Sequence, residues 1–445
     1  WSSIRVEFLM TSAAKKSAHP SSSVTYVDDV FSTYLYTGNG STQTINNGID
    51  LAGKGGLVWY KDRTTAYDHE WVDTARGAGY NLESSNTTAS TSRPTALTAF
   101  TSTGFTLGSN LAANGSGDNF VSWTFRKAPK FFDVVTYTGN ETAGKTVSHS
   151  LGSDPGCIII KRTSVSGYSW FVYHRSNPTK YTNLNLTNAE TNFTIVTSVS
   201  STNFTLPADA STNANGHTYV AYLFAHDTSS TGIIQCGSVT ASSGVGSVTL
   251  GWEPQFVLLK SATSTGAWTM HDNMRGMPVT QTNQVLQPNS SAAEYTDTGS
   301  TEACVTPNAT GFTINVAHWD TYIYIAIRRP NKPPTSGTQV FAPVASSVAT
   351  GTAITTGFPV DLQLYKFRAY SNDWYVGDRL RGISTTTSSE SGQRLATNAT
   401  YAEGTGDFVR YWNNTGYQMP SNAGGYNIGF WNFKRAPGFF DVVCY

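Results

Sequence analysis

Charge is what this sequence has least of. Of its 445 residues only 13% are Asp, Glu, Lys or Arg, about half the share usual in soluble domains, and 29 basic residues balance 29 acidic ones. A neutral chain of this kind has no electrostatic means of gathering nucleic acid or anionic membrane, so no nucleic-acid partner is expected. Long apolar runs are missing as well. No stretch of 18 apolar residues is present, which excludes a helical membrane span, and no basic start leads through an apolar segment to a small-residue cleavage site. The four cysteines, Cys157, Cys236, Cys304 and Cys444, lie far apart and never in C-x-x-C spacing. They read as buried free thiols of a chain made in a reducing cytoplasm, not as metal or redox ligands. The eight histidines are scattered without ligand spacing, so neither metal nor cofactor is expected. Acidic residues do not cluster beyond Asp28-Asp29, which reads as solvated turn charge. With no carboxylate pair standing out for glycan hydrolysis, no catalytic residue is assigned and the chain is expected not to be an enzyme.

What the sequence has in quantity is aromatics, 11 Trp, 23 Tyr and 22 Phe, set among Thr, Ser, Asn and Gly. Apolar and polar residues alternate in short runs, as in 120–125, 218–224 and 322–327. A period of two is that of strands, and no amphipathic helical spacing interrupts it.

The chain also repeats. Arg126-Lys127-Ala128-Pro129-Lys130-Phe131-Phe132-Asp133-Val134-Val135 returns as Lys434-Arg435-Ala436-Pro437-Gly438-Phe439-Phe440-Asp441-Val442-Val443, 308 residues on. The strand before that junction recurs at Phe120, Tyr219, Tyr322 and Ile428, displaced successively by 99, 103 and 106 residues. Each copy has an apolar strand ending in Lys61, Lys161, Lys260 or Lys366, then a Trp, then a Gly-Phe-Thr-like strand. About eight short strands per 100 residues, without helices, predict an antiparallel β-sandwich of jelly-roll or immunoglobulin-like kind. The expected organisation is an N-terminal arm over 1–25 and four all-β sandwich repeats over 26–132, 133–231, 232–337 and 338–445. Because the junctions lack Gly/Ser linkers, with Phe131-Phe132 packing at one of them, the repeats are expected to form a stiff rod. The Pro-rich connector 329–334 is expected to be extended. The final Val443-Cys444-Tyr445 reads as the opening of a further repeat, and Met10 reads as a more natural start than Trp1.

One constellation is worth testing for chemistry. Asp-x-x-Arg-Gly follows the Trp of three repeats: Trp71 with Asp73 and Arg76, Trp268 with Asp272 and Arg275, Trp374 with Asp378 and Arg381. The second repeat has His174-Arg175 instead. As a glycan-contact set, the indole would stack on a sugar ring and the charged pair would bond its hydroxyls. As architecture, Asp and Arg would clasp a turn that Gly completes, and a feature repeated in tandem at one place in a fold favours that second reading.

The segment Val27 to Gly40, with Gly55-Gly56-Leu57-Val58-Trp59 and the junction at 125–133, resembles tandem-repeat structural proteins of marine cyanophages that carry a domain of unknown function. The resemblance covers most of the chain, strongly over 26–230 and 425–445. It implies a virion component, assembled in the host cytoplasm, with no chemistry to transfer. The leading expectation is a tail-fibre or appendage protein that self-associates as a homo-oligomer, binds other virion proteins and touches a host-surface glycan. A capsid decoration or cement protein is the alternative, and a glycan depolymerase a third.

Overall fold

The computed structural model describes residues 24–444 except 281, 300–301, 317–318, 349–350, 385–391, 407–408 and 420–425. Of the expected N-terminal arm over 1–25, residues 1–23, Trp1 and Met10 among them, lie outside the described residues. The fold is all-β and antiparallel, with four-residue helical turns at Leu51–Lys54, Leu111–Asn114 and Ala210–Asn213.

The second repeat shows the plan most simply. Its larger sheet runs Phe132–Thr138, Thr218–Ala225, Pro155–Arg162, Phe171–His174, Thr182–Asn183, and its smaller sheet Lys145–Ser148, Asn203–Leu206, Ser198–Val199. The first strand thus pairs with the last, and the second with the one before last. That nesting is the jelly-roll arrangement rather than the immunoglobulin one. The same order recurs in the first, third and fourth repeats. The Gly-Phe-Thr strands have a local cause: a Cβ at Gly104, Gly311 or Gly416 would lie 1.9 Å from the carbonyl oxygen of Ile45, Val248 or Ile354 on the paired strand.

Alternation along the strands decides how the repeats relate. In the first repeat Val58, Tyr60, Val72 and Phe120 face the small sheet and form a core private to that sandwich. Leu57, Trp59, Trp71, Val121, Trp123 and Phe125 point the other way, off the outer face of the large sheet. They are buried nonetheless, because they join a single core with Ile158, Trp170 and Tyr222 of the second repeat and Phe256, Leu258, Ile323 and Ile325 of the third. The central strands Gly56–Asp62, Pro155–Arg162 and Pro254–Ser261 are accordingly buried at every position, as strands covered on both faces must be.

The first three repeats therefore do not lie end to end, which corrects the rod. They close on one another. Backbone N–H groups of Ser90, Glu190 and Glu294 donate to the carbonyls of Thr163, Ala262 and Arg63 at 3.1, 2.9 and 3.0 Å. These are equivalent positions in repeats one to two, two to three and three to one. Three heterologous contacts of the same kind that return to the start make a closed ring with pseudo-threefold symmetry, here within one chain. Phe131 and Phe132 are buried at the first junction, with Phe132 5.4 Å from Phe125 and 5.2 Å from Phe224.

The fourth repeat restarts the pattern. A 3-10 turn at Gly337–Gln339 precedes Phe341 as the turn Val27–Asp29 precedes Phe31. It docks on repeats one and three: Leu35 N–H donates to Asn414 Oδ1 at 2.8 Å, Arg435 pairs with Glu253 at 2.6 Å, and Val279 N–H donates to the Leu380 carbonyl at 2.8 Å. Asp28 and Asp29 hold the connector and are not merely solvated. Asp28 Oδ2 accepts from the amides of Asn331 and Lys332 at 2.9 and 3.0 Å, and Asp29 pairs with Lys332 at 2.6 Å.

Candidate functional site

The Asp-x-x-Arg-Gly turns are built alike. At the end of its strand, Asp272 Oδ1 accepts the amide of Arg275 at 2.9 Å and Oδ2 accepts Arg275 Nε at 2.6 Å. The far end of the guanidinium donates back to the Met270 carbonyl at 2.8 Å. Asp73 and Arg76 do the same, with the Trp71 carbonyl as acceptor, and so do Asp378 and Arg381, with that of Val376. The chain then turns through Gly77, Gly276 and Gly382 at φ of 97°, 113° and 128°, a region open to glycine and costly for residues with a Cβ. Each carboxylate thus caps its own turn.

What lies beyond the turn is the neighbouring repeat. Tyr222 Oη of the second repeat donates to Asp73 Oδ2 of the first at 2.8 Å, and Trp123 Nε1 of the first donates to Asp272 Oδ2 of the third at 3.1 Å. Trp123, Tyr222 and Ile325 are equivalent, each lying across from the same position of the central strand (Trp59, Ile159, Leu258). Ile325 has no donor. The residue that meets it from the second repeat is His174, at the position of Asp73 and Asp272, and its Nε2 bonds the Tyr324 carbonyl at 3.2 Å. The break in the sequence pattern is thereby explained: a carboxylate facing Ile325 would be buried without a partner from the neighbour, whereas a histidine can reach the backbone.

A second set of ring contacts corrects the alignment of the tryptophans. Amides of Ser84, Leu184 and Thr397 donate to the carbonyls of His69, Trp170 and Trp374, so His69, not Trp71, is the first-repeat equivalent of Trp170, Trp268 and Trp374. Trp170 and Trp268 donate through Nε1 to the carbonyls of Glu83 and Asn183 in the preceding repeat, both at 2.9 Å. His69 occupies the third such place; burial pushes its pKa well below the usual histidine range, and the backbone of Gln287 in the third repeat opposes this. Trp71 lies deeper, its ring 4.3 Å from that of Trp59, 4.8 Å from Tyr222 and 5.2 Å from Trp170.

Ions complete the closing joint between repeats three and one. Glu294 bridges Arg63 at 2.6 Å and Arg275 at 3.0 Å, and all three side chains are at most 7% exposed. Burial alone would depress the pKa of Arg63, but Glu294 more than offsets it, so the guanidinium is held charged. Of the residues singled out for glycan contact, Trp71, Asp73, Arg76, Trp268, Asp272 and Arg275 are enclosed between repeats with no face for a sugar. Only the fourth-repeat set reaches the surface, through Trp374. The residues that sequence reasoning missed are Trp123, Tyr222, Arg63, Glu294, His69 and His174.

Elsewhere, a cleft of about 270 Å³ opens between repeats one, three and four, lined in part by Asp28, Asp361, Arg329, Arg379, Lys434 and Arg435. Its cations are paired within the protein, Arg379 to Asp361, Lys434 to Asp28, Arg435 to Glu253 and Arg329 to Asp441. Among the described residues no three His, Cys, Asp or Glu side chains gather as a metal site, and no helix is long and apolar enough to cross a membrane.

Residues 27–330 match the family described as domain of unknown function DUF7483. The chain belongs to that family. No curated protein matches it. The DUF7483 span begins at the turn Val27–Asp29 that opens the first repeat and ends just after Thr321–Arg328, the last strand of the third. The DUF7483 match thus covers the closed three-repeat ring, and the fourth repeat lies outside it.

Proposed function

We propose that this chain is a non-catalytic structural component of a phage particle, a length of tail fibre or appendage that binds other virion proteins. The observation that carries the reading is the engagement of its ionisable and aromatic residues. Asp73, Asp272, His174, Trp123, Tyr222, Arg63 and Glu294, which have the best claim to chemistry, are the residues that join one repeat to the next. A ring closed by buried bonds on all three sides is suited to bearing load. A fourth repeat that starts the same pattern again suits a body that grows along one direction. The resemblance to cyanophage structural proteins points the same way.

The test is direct. Particles purified from infected host cells are probed by peptide mass spectrometry and labelled with antibody against the first repeat. Label on a projecting appendage supports the reading, label spread over the head shifts it to a decoration protein, and absence of the chain from particles sinks both. Release of reducing ends from host polysaccharide by the purified chain would overturn the non-catalytic assignment.

A further inference from the structure

The fourth repeat carries a ring-forming face whose donor side is left open among the described residues. Its central strand Leu362–Phe367 alternates between half-buried and buried, while the equivalent strands of the ring are buried throughout. The half-buried positions are those whose counterparts fill the common core. Leu364 stands where Trp59 does, Val376 where Trp71 does, and Trp431 where Trp123 does. They remain apolar although uncovered. Trp374 is 38% exposed, against 0% for Trp170 and 2% for Trp268. It lies against Trp431 with ring centroids 5.3 Å apart, beside an open apolar groove lined by Pro343, Val344 and Phe430.

We infer that this face takes a second copy of the same chain, and that three copies close a ring through their fourth repeats in the manner of the intrachain ring. The argument is complementarity. In the ring, Trp123 donates to Asp272, and Arg63 pairs with Glu294, which also holds Arg275. The fourth repeat holds both halves of each contact in one copy: Trp431 with Asp378 for the first, Arg368 with Glu403 for the second. Arg368 follows its strand as Arg63 does and is exposed, with no ion pair among the described residues. Glu403 already holds Arg381 at 2.9 Å, as Glu294 holds Arg275, and among the described residues Asp378 Oδ2 accepts from Arg381 alone. No repeat of the closed ring is self-complementary in this way. The second and third have lost it at His174 and Ile325, and the first has Ser90 where an acid is required. The matching acceptor faces of repeats one to three are occupied, so among the described residues of another copy it is the fourth repeat that receives Trp431 and Arg368. Heterologous contacts of this geometry close at three, and an exposed Trp374 packed on the half-buried Trp431 beside Arg368 is the composition of an interface core. The segment Asp441 to Cys444 lies beside Leu380, next to this acceptor, and the entering copy displaces its end.

The test is sedimentation velocity of the full chain over a concentration series. The expected result is an equilibrium between the 48.0 kDa chain and a species of three times that mass. Arg368→Glu and Glu403→Arg each weaken association at least about tenfold, because each sets like charges face to face. The double reversal in one chain restores association. Trp431→Ala abolishes it. Arg368 is exposed, so circular dichroism and melting of Arg368→Glu match the parent; Glu403→Arg also loses the Arg381 pair, so circular dichroism is used to confirm that it keeps the fold. A monomer at all concentrations, a dimer end-point, or association insensitive to the reversals overturns the inference, as does host polysaccharide binding to this face of a lasting monomer. It deepens the assembly reading but fails separately from it: a chain found in particles yet monomeric alone sinks the trimer and leaves the structural role standing.

Discussion

A single position in each repeat shows how far the ring is written residue by residue. Asp73 meets Tyr222 and Asp272 meets Trp123, while His174 meets the backbone beside Ile325. His174→Asp would bury a carboxylate opposite an alkyl chain and destabilise the protein by about 3–5 kcal/mol, the range for an uncompensated buried charge. Adding Ile325→Tyr recreates the pairing of the first two repeats. Denaturant titration of the two single variants and the double variant is expected to show a favourable coupling of about 1–3 kcal/mol. The clasps themselves differ in burial. Asp272→Ala leaves Arg275, whose side chain is 0% exposed, without the partner that holds its Nε, and is expected to cost about 3–5 kcal/mol. Asp378→Ala acts on a pair in which Arg381 is 13% and its second partner Glu403 34% exposed, against 0% and 7% for Arg275 and Glu294. It is expected to cost clearly less, and thermal melts of the two variants side by side check the order.

At the scale of strands, close approach sets what the sequence must spell. Gly311 lets its strand pass within 1.9 Å, measured from an added Cβ, of the Val248 carbonyl across the small sheet. Backbone cannot yield as a side-chain tip does, so Gly311→Ala is expected to cost at least about 1–3 kcal/mol. Gly251→Ala is the control for space, since nothing lies within 4 Å there, although its φ of 83° carries its own strain. A larger loss of melting temperature at 311 than at 251 is the expected outcome. Such strands were legible: alternation around Phe105 and Phe312, and the offsets of 99, 103 and 106 residues, locate the strand that closes each sandwich. Less legible was what covers their outer faces. Ile158-Ile159-Ile160 is apolar at consecutive positions, which marks a strand buried on both sides but does not say by what. The tryptophan that the sequence pattern assigns to every repeat is two residues out of register in the first, because His69 fills the place of Trp170. Glu294 and Arg63, 231 residues apart, carry no local pattern at all. The turn Asp-x-x-Arg-Gly was readable as a clasp because each of its bonds is local. Its second role, receiving a donor from the next repeat, depends on closure of the whole ring.

For the whole molecule, ring closure predicts both a pH dependence and a smallest folding unit. Burial holds His174 down to about 4, with the Tyr324 carbonyl opposing, and His271 down to about 3, with Arg275 adding to the effect. His69 is likewise held well below the usual range by burial. Unfolded, these histidines titrate near 6.5, so below that pH the unfolded chain takes up protons that the folded chain refuses. Stability from these groups is thus complete above about pH 6.5 and declines as the pH falls toward about 4, as urea midpoints across that window should record. The folding unit follows from the shared core. Phe132, Ile158, Trp170 and Tyr222 of the second repeat are buried in one cluster with Trp59 and Trp123 of the first and Phe256 and Ile325 of the third. A fragment of residues 133–231 would expose that whole face to water and is expected not to fold alone. Residues 24–334 keep all three sides of the ring and the bonds of Asp28 and Asp29 to the connector, and lose the contacts to the fourth repeat, chiefly Arg435 with Glu253 and Asn414 with Leu35. That fragment is expected to melt in one cooperative step close to the corresponding step of the full chain. Calorimetry that instead found a cooperative transition in the isolated second repeat would show three bodies merely touching, because a repeat able to hold its outer face in water has no physical need of its neighbours.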